Sequence, residues 1–125
     1  MKYLGVDFGL KRIGLAVSEG ELASSWKVIT TSSFSNAVDQ ITQIFVKEQF
    51  DLIVLGQPEG KMGKLVGKFA RILSAKGIKV ELADETLSSK NAAALMVELN
   101  IPKEKRKIND AVAAAQILQN FLDKN

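Results

Sequence analysis

The sequence predicts an α/β fold, a five-stranded mixed sheet with helices on both faces. Three features predict it. The first third of the chain carries three β-rich runs in close succession, as an antiparallel meander requires. The remainder alternates helical and strand periodicities, the pattern of parallel βα units. The 125 residues suit one domain, expected to span residues 1–125. The element order reads βββαβαβαα, with right-handed crossovers restricting how the later strands join the sheet.

Residues 3–7 (YLGVD) and 12–18 (RIGLAVS) read as strands, and Phe8-Gly9-Leu10-Lys11 between them reads as a hairpin turn. In the second run, Ile13, Leu15 and Val17 alternate with Gly14, Ala16 and Ser18. Small residues along one face predict close approach of another backbone or helix. A loop around Glu19-Gly20-Glu21 leads to a third strand, expected from Trp26 to Thr31. Ser33 to Asn36 offers helix caps, and Val38, Ile41, Ile44 and Phe45 then recur at helical spacing. The apolar run Asp51 to Gly56 reads as a buried parallel strand.

A loop is expected over Gln57 to Gly63, then a helix carrying Leu65, Val66, Phe69, Ile72 and Leu73, with Gly77 as its C-terminal cap. Ile78, Val80 and Leu82 mark a fifth strand that ends at Asp84-Glu85. Ser88 or Ser89 caps a third expected helix with Ala92, Leu95, Met96 and Leu99 on one face, stopped by Asn100-Ile101-Pro102. A basic stretch precedes the last helix, which starts near Asn109 with Ala111, Ala114, Ala115, Leu118, Phe121 and Leu122 on one side.

Composition narrows the chemistry. The chain has no cysteine and no histidine. Disulfides, thiolate sites, Ser-His-Asp triads and histidine acid–base chemistry are therefore excluded. Carboxylates, lysines, hydroxyls or a hard metal ion must carry any hydrolysis, and oxygen donors favour Mg²⁺ or Mn²⁺. The net charge of +3 permits a nucleic-acid partner without demanding one. No apolar run approaches the ~20 residues that cross a bilayer. The opening MKYLGVDFG does not read as a signal peptide, so a cytoplasmic protein is expected.

The acids fall at element ends. Asp7 closes the first strand, Asp84 and Glu85 the fifth, and Asp110 opens the last helix. Each has an ordinary reading as a turn or cap residue. Together they could converge at one end of the sheet and hold a divalent metal for phosphodiester hydrolysis. Neighbouring strand residues face opposite ways, so only one of Asp84 and Glu85 should enter such a site.

Four segments carry a resemblance. Gly5 to Ser18 is similar to the opening strand-turn-strand motif of the YqgF/RuvX family of Holliday-junction resolvases and pre-16S rRNA nucleases. Gly56-Gln57-Pro58 with Gly63 resembles that family's Gly-Leu-Pro loop, Asp84 to Ser89 its Asp-Glu-Arg-Leu motif, and Asp110 to Leu118 its terminal helix. The order and spacing fit over nearly the whole chain. Thr86, Gln57 and Asn109 depart from the family's usual Arg and apolar residues. The resemblance implies an RNase H-like fold and a metal-dependent nuclease with Asp7, Glu85 and Asp110 as its acids.

Basic residues supply candidate phosphate contacts. Lys11 and Arg12 adjoin Asp7, and Lys103, Lys105, Arg106 and Lys107 precede Asp110. Lys61, Lys64, Lys68 and Arg71 share one helical face. Phe8 is either a base-stacking residue or a core residue, and Trp26 is assigned to packing. The expected partner is precursor rRNA or branched DNA, met by a monomer or weak homodimer. Two rivals stand beside this reading. Gly5 to Gly9 also resembles the phosphate loop of actin-type and Hsp70-type ATPases, which need two such domains. A nucleic-acid-binding module without catalysis is the other.

Overall fold

The computed structural model describes residues 1–58, 60–84 and 109–124. Its elements are β1 (Tyr3–Asp7), β2 (Arg12–Ser18), β3 (Ser24–Thr30), α1 (Phe34–Lys47), β4 (Leu52–Gln57), α2 (Gly60–Ala75), β5 (Val80–Asp84) and α3 (Asn109–Lys124). The helix expected from Ser88 or Ser89 to Leu99 lies outside the described residues, as does the basic stretch at 103–107.

The five strands form one sheet in the order β3-β2-β1-β4-β5. β1 and β2 pair antiparallel, as do β2 and β3. β1 and β4 pair parallel, as do β4 and β5. The predicted mixed sheet is therefore the one observed, with β1 at its centre. β3 starts at Ser24, two residues before the expected Trp26. A register shift opposite Leu15 and Ala16 lets Ser24 and Ser25 keep pairing with β2. Two serines have weak strand preference, so the pairing and not local propensity draws them in. α2 begins at Gly60, inside the segment expected to be loop.

The two faces of the sheet are packed differently. On one, Leu4, Val6, Ile13, Leu15, Ile53 and Leu55 meet Ile41 of α1 and Phe69 and Leu73 of α2. Ser33 fixes the start of α1, its Oγ accepting from the Asn36 amide at 3.0 Å. Each fully buried large side chain here contributes roughly 1.5–3 kcal/mol. On the other face, Ala16, Leu52 and Val54 meet Ala114, Ile117 and Leu118 of α3. Trp26 belongs to the first cluster and lies 6.1 Å from the Phe50 ring, as its assignment to packing requires. Among the described residues, no helix is long and apolar enough to cross a membrane.

Candidate active site

The site is built from the small-residue face of the β1–β2 hairpin. A Cβ on Gly5 would lie 2.9 Å from both the Ala114 carbonyl oxygen and Leu118 Cβ. A Cβ on Gly14 would fall on the backbone carbonyl of Asp110. α3 thus lies close against the hairpin, backbone on backbone at Gly14, as the Gly14-Ala16-Ser18 pattern predicts. It runs back along β1, with Ala114 over Gly5 and the Tyr3 and Phe121 rings 6.2 Å apart.

This contact decides where Asp110 goes. Asp7 is the register partner of Gly14. Paired antiparallel residues have Cα atoms about 4.5–5.5 Å apart. Strand alternation puts Asp7 on the same face as Gly5, the face α3 covers. Asp7 and the start of α3 at Asp110 therefore lie at the same end of the same face, although 102 residues separate them in the chain. β1, β4 and β5 run parallel, so their C-terminal ends share that edge, and Gln57 pairs with Asp84 there. Ligands of open α/β sheets gather at this edge. Glu85 follows Asp84 in the chain and lies outside the described residues, and among those residues no three acids form a group.

Asp110 has a cationic partner. Arg12 Nε lies 3.2 Å from Asp110 Oδ2, the arginine side chain 52% and the aspartate 27% exposed. At that exposure the pair contributes under about 1 kcal/mol to stability. The guanidinium holds the Asp110 carboxylate in one orientation. Gly9, Leu10, Lys11, Arg12 and Asp110 line a hollow of about 500 Å³. Lys11 and Arg12 thus share a hollow with Asp110.

The α2 stripe is arranged differently. Lys61, Lys64, Lys68 and Arg71 are all exposed, but α2 packs on the sheet face opposite α3. α2 follows the C-terminal end of β4, so Lys61 and Lys64 are the members of the stripe nearest the acidic edge. Lys68 Nζ lies 5.4 Å from the Phe34 ring centroid. Lys103, Lys105, Arg106 and Lys107 are outside the described residues. Of the two readings of Phe8, the core one is observed: Phe8 is 5% exposed, with its ring 4.8 Å from Phe69 and 6.1 Å from Phe34. An apolar pocket built by α1 and α2 takes it away from the surface. The Arg12–Asp110 pair was invisible to sequence spacing, since it joins residues 98 apart. Leu10, exposed at the rim of the hollow, was equally hidden, because turn signals carry no measure of exposure.

The sheet order, with an aspartate ending its central strand and another opening the last helix, defines the class: an RNase H-like α/β domain. Residues 1–124 match the family model described as "RuvX: Holliday junction resolvase", and the chain belongs to that family. Proteins named "Putative pre-16S rRNA nuclease" from Syntrophus aciditrophicus, Clostridioides difficile and Desulfitobacterium hafniense are 37%, 35% and 34% identical to it. Each alignment spans 98% of this chain and 89%, 94% and 92% of the relative. Among solved structures, T. thermophilus RuvC in complex with a Holliday junction substrate superposes with a TM-score of 0.64 at 18% identity, covering 99% of this chain and 95% of that one. The fowlpox virus Holliday junction resolvase reaches 0.67 at 10% identity, covering 99% of each. At these identities the likeness is one of fold.

Proposed function

We propose that this chain is a metal-dependent endonuclease that cleaves phosphodiesters in structured nucleic acid, its substrate being the 5′ leader of precursor 16S rRNA. One observation supports the reading: α3 seats its Asp110 backbone on Gly14, the register partner of Asp7, at the C-terminal edge of the sheet. The names borne by the relatives support the choice of RNA, and that choice implies action in the cytoplasm.

Asp7, Glu85 and Asp110 are the residues proposed to hold Mg²⁺ or Mn²⁺. The donors fit a hard ion, since carboxylate oxygens are offered and the chain has no imidazole or thiolate. When bound, such an ion supplies an activated water and offsets charge on the reacting phosphate. The chain's own residues bind and orient. Gly14 fixes the depth at which α3 seats, and so the place of the Asp110 carboxylate. Arg12 holds that carboxylate until an anionic substrate competes for the guanidinium. Lys11, Arg12, Lys61, Lys64, Lys103, Lys105, Arg106 and Lys107 contact phosphates, giving affinity that falls with salt and little sequence preference. A monomer suffices for such a cut.

A second reading, resolution of four-way DNA junctions, is favoured by the family's description and by the fold shared with junction resolvases. Symmetric cutting would call for a two-fold dimer. The test uses labelled 5′-leader RNA and a four-way DNA junction, each with Mg²⁺, Mn²⁺ or chelator. Metal-dependent cutting of the RNA, lost in Asp7→Asn while binding persists, is the expected result. Preferred cutting of the junction would transfer the function to DNA. Binding of both without cutting of either would leave a non-catalytic binding module.

A further inference from the structure

The hollow beside Asp110 is bordered by a side chain that phosphate binding does not use. Leu10 is 65% exposed at the tip of the β1–β2 turn. Single exposed leucines are common on protein surfaces. Leu22 and Val46 are exposed at 80% and 67%, but neither is near the acids. Leu22 borders a hollow with Lys2 and Glu48, beside the start of β1 rather than its end. Leu10 instead shares its hollow with Lys11, Arg12 and Asp110.

The turn that carries it is held in shape. A Cβ on Gly9 would fall on the Arg12 carbonyl, so the chain closes tightly there. The Thr31 amide donates to the Lys11 carbonyl at 2.9 Å, and Thr31 Oγ1 lies 3.4 Å from the Leu10 carbonyl. An apolar side chain is thus presented to solvent on a tied backbone. The rim offers, in sequence, a leucine and two cations, next to a carboxylate. A nucleotide offers an apolar base face and an anionic phosphate a few ångströms apart. About 500 Å³ lies within the range of small-ligand clefts.

We propose that Leu10 forms a nucleobase subsite: it supports the base of a nucleotide adjoining the scissile phosphate, while Lys11 and Arg12 take its phosphate. The inference rests on the nuclease reading above and adds the requirement that one base beside the cut leave its stack. Substrates with an unpaired or easily unstacked base at that point are therefore preferred, because less stacking is lost.

The experiment crosses protein and substrate changes. kcat/KM is measured for wild type and Leu10→Ser on the cleaved substrate, and on copies made abasic at the nucleotide 5′ or 3′ to the cut. Losing the apolar area buried between base and leucine should cost about 10-fold in either partner. Wild type should lose that factor on one of the abasic substrates. Leu10→Ser should lose it on the intact substrate and nothing further on that abasic copy, while Leu10→Met restores most of it. Equal and independent losses on all substrates would overturn the subsite and leave the nuclease intact. Absence of cleavage by wild type would overturn the nuclease reading, and the subsite with it. A wild-type dimer that Leu10→Ser separates in sedimentation would assign the leucine to a protein interface and overturn the subsite as well.

Discussion

The two faces of the sheet solve different problems. The face under α1 and α2 is filled by large side chains, with the Phe8, Phe34 and Phe69 rings in mutual contact. Many pairwise arrangements of aliphatic and aromatic groups could fill that space, and its contribution is mainly to stability. The face under α3 is nearly bare where it meets the hairpin, at Gly5 and Gly14. At Gly14 backbone touches backbone, and no side chain can shift to absorb an error. One face holds the fold together, and the other fixes where a carboxylate stands.

The comparison can be broken in a definite order of effect. Asp7→Asn removes charge from the bare face and should lower cleavage by ~10³-fold or more, with an unchanged melting temperature or a higher one. Labelled-substrate kinetics and thermal denaturation on one sample check both halves. Phe69→Ala, on the filled face, should do the reverse. It should cost ~3–5 kcal/mol in denaturant unfolding while the protein that stays folded keeps its cleavage rate. Gly14→Ala strikes the backbone contact itself. Displacing α3 by more than ~1 Å should reduce cleavage by ~10²-fold or more in the protein that stays folded, with a stability loss of ~3 kcal/mol or more because a backbone carbonyl must give way. If its activity falls only in proportion to its unfolded fraction, the bare face has no positioning role.

Arg12→Ala sharpens the contrast further. The exposed pair with Asp110 should contribute under ~1 kcal/mol to stability. Freed of the guanidinium, Asp110 should bind Mn²⁺ a few-fold more tightly in calorimetry without nucleic acid, while nucleic-acid affinity falls. The smallest effect belongs to α2. Lys64→Ala should weaken binding about equally across sequences and flatten its salt dependence by less than one phosphate's worth.

The filled face was the more legible of the two in the sequence. Val38, Ile41, Phe69 and Leu73 repeat at helical spacing, and the run from Leu52 to Leu55 marks a buried strand. Local periodicity reports such elements directly. The bare face was legible only in outline: glycine and alanine alternating along β2 announced a close neighbour without naming it. That Asp110 is what closes on Gly14 depends on how α3 crosses the hairpin. The same limit hid the Arg12–Asp110 pair. Phe8 shows the converse error to guard against, since an aromatic next to a catalytic-looking aspartate proved to be held by Phe34 and Phe69 from two later helices. Ser24 and Ser25 were missed as strand because a neighbour's register outweighed their own preference.

The order of the acids along the chain gives the site a timetable. During synthesis the chain emerges from its N-terminus at roughly 5–20 residues per second. Asp7 leaves the ribosome with the first strand, and all five strands can pair before α3 exists. Asp110 arrives only with the helix that docks last onto an already assembled hairpin. A nascent chain therefore carries Asp7 and Glu85 without Asp110, an incomplete form of the proposed centre, while it is still attached to a particle made of RNA. On the proposed mechanism, cutting power appears only when α3 docks and adds Asp110.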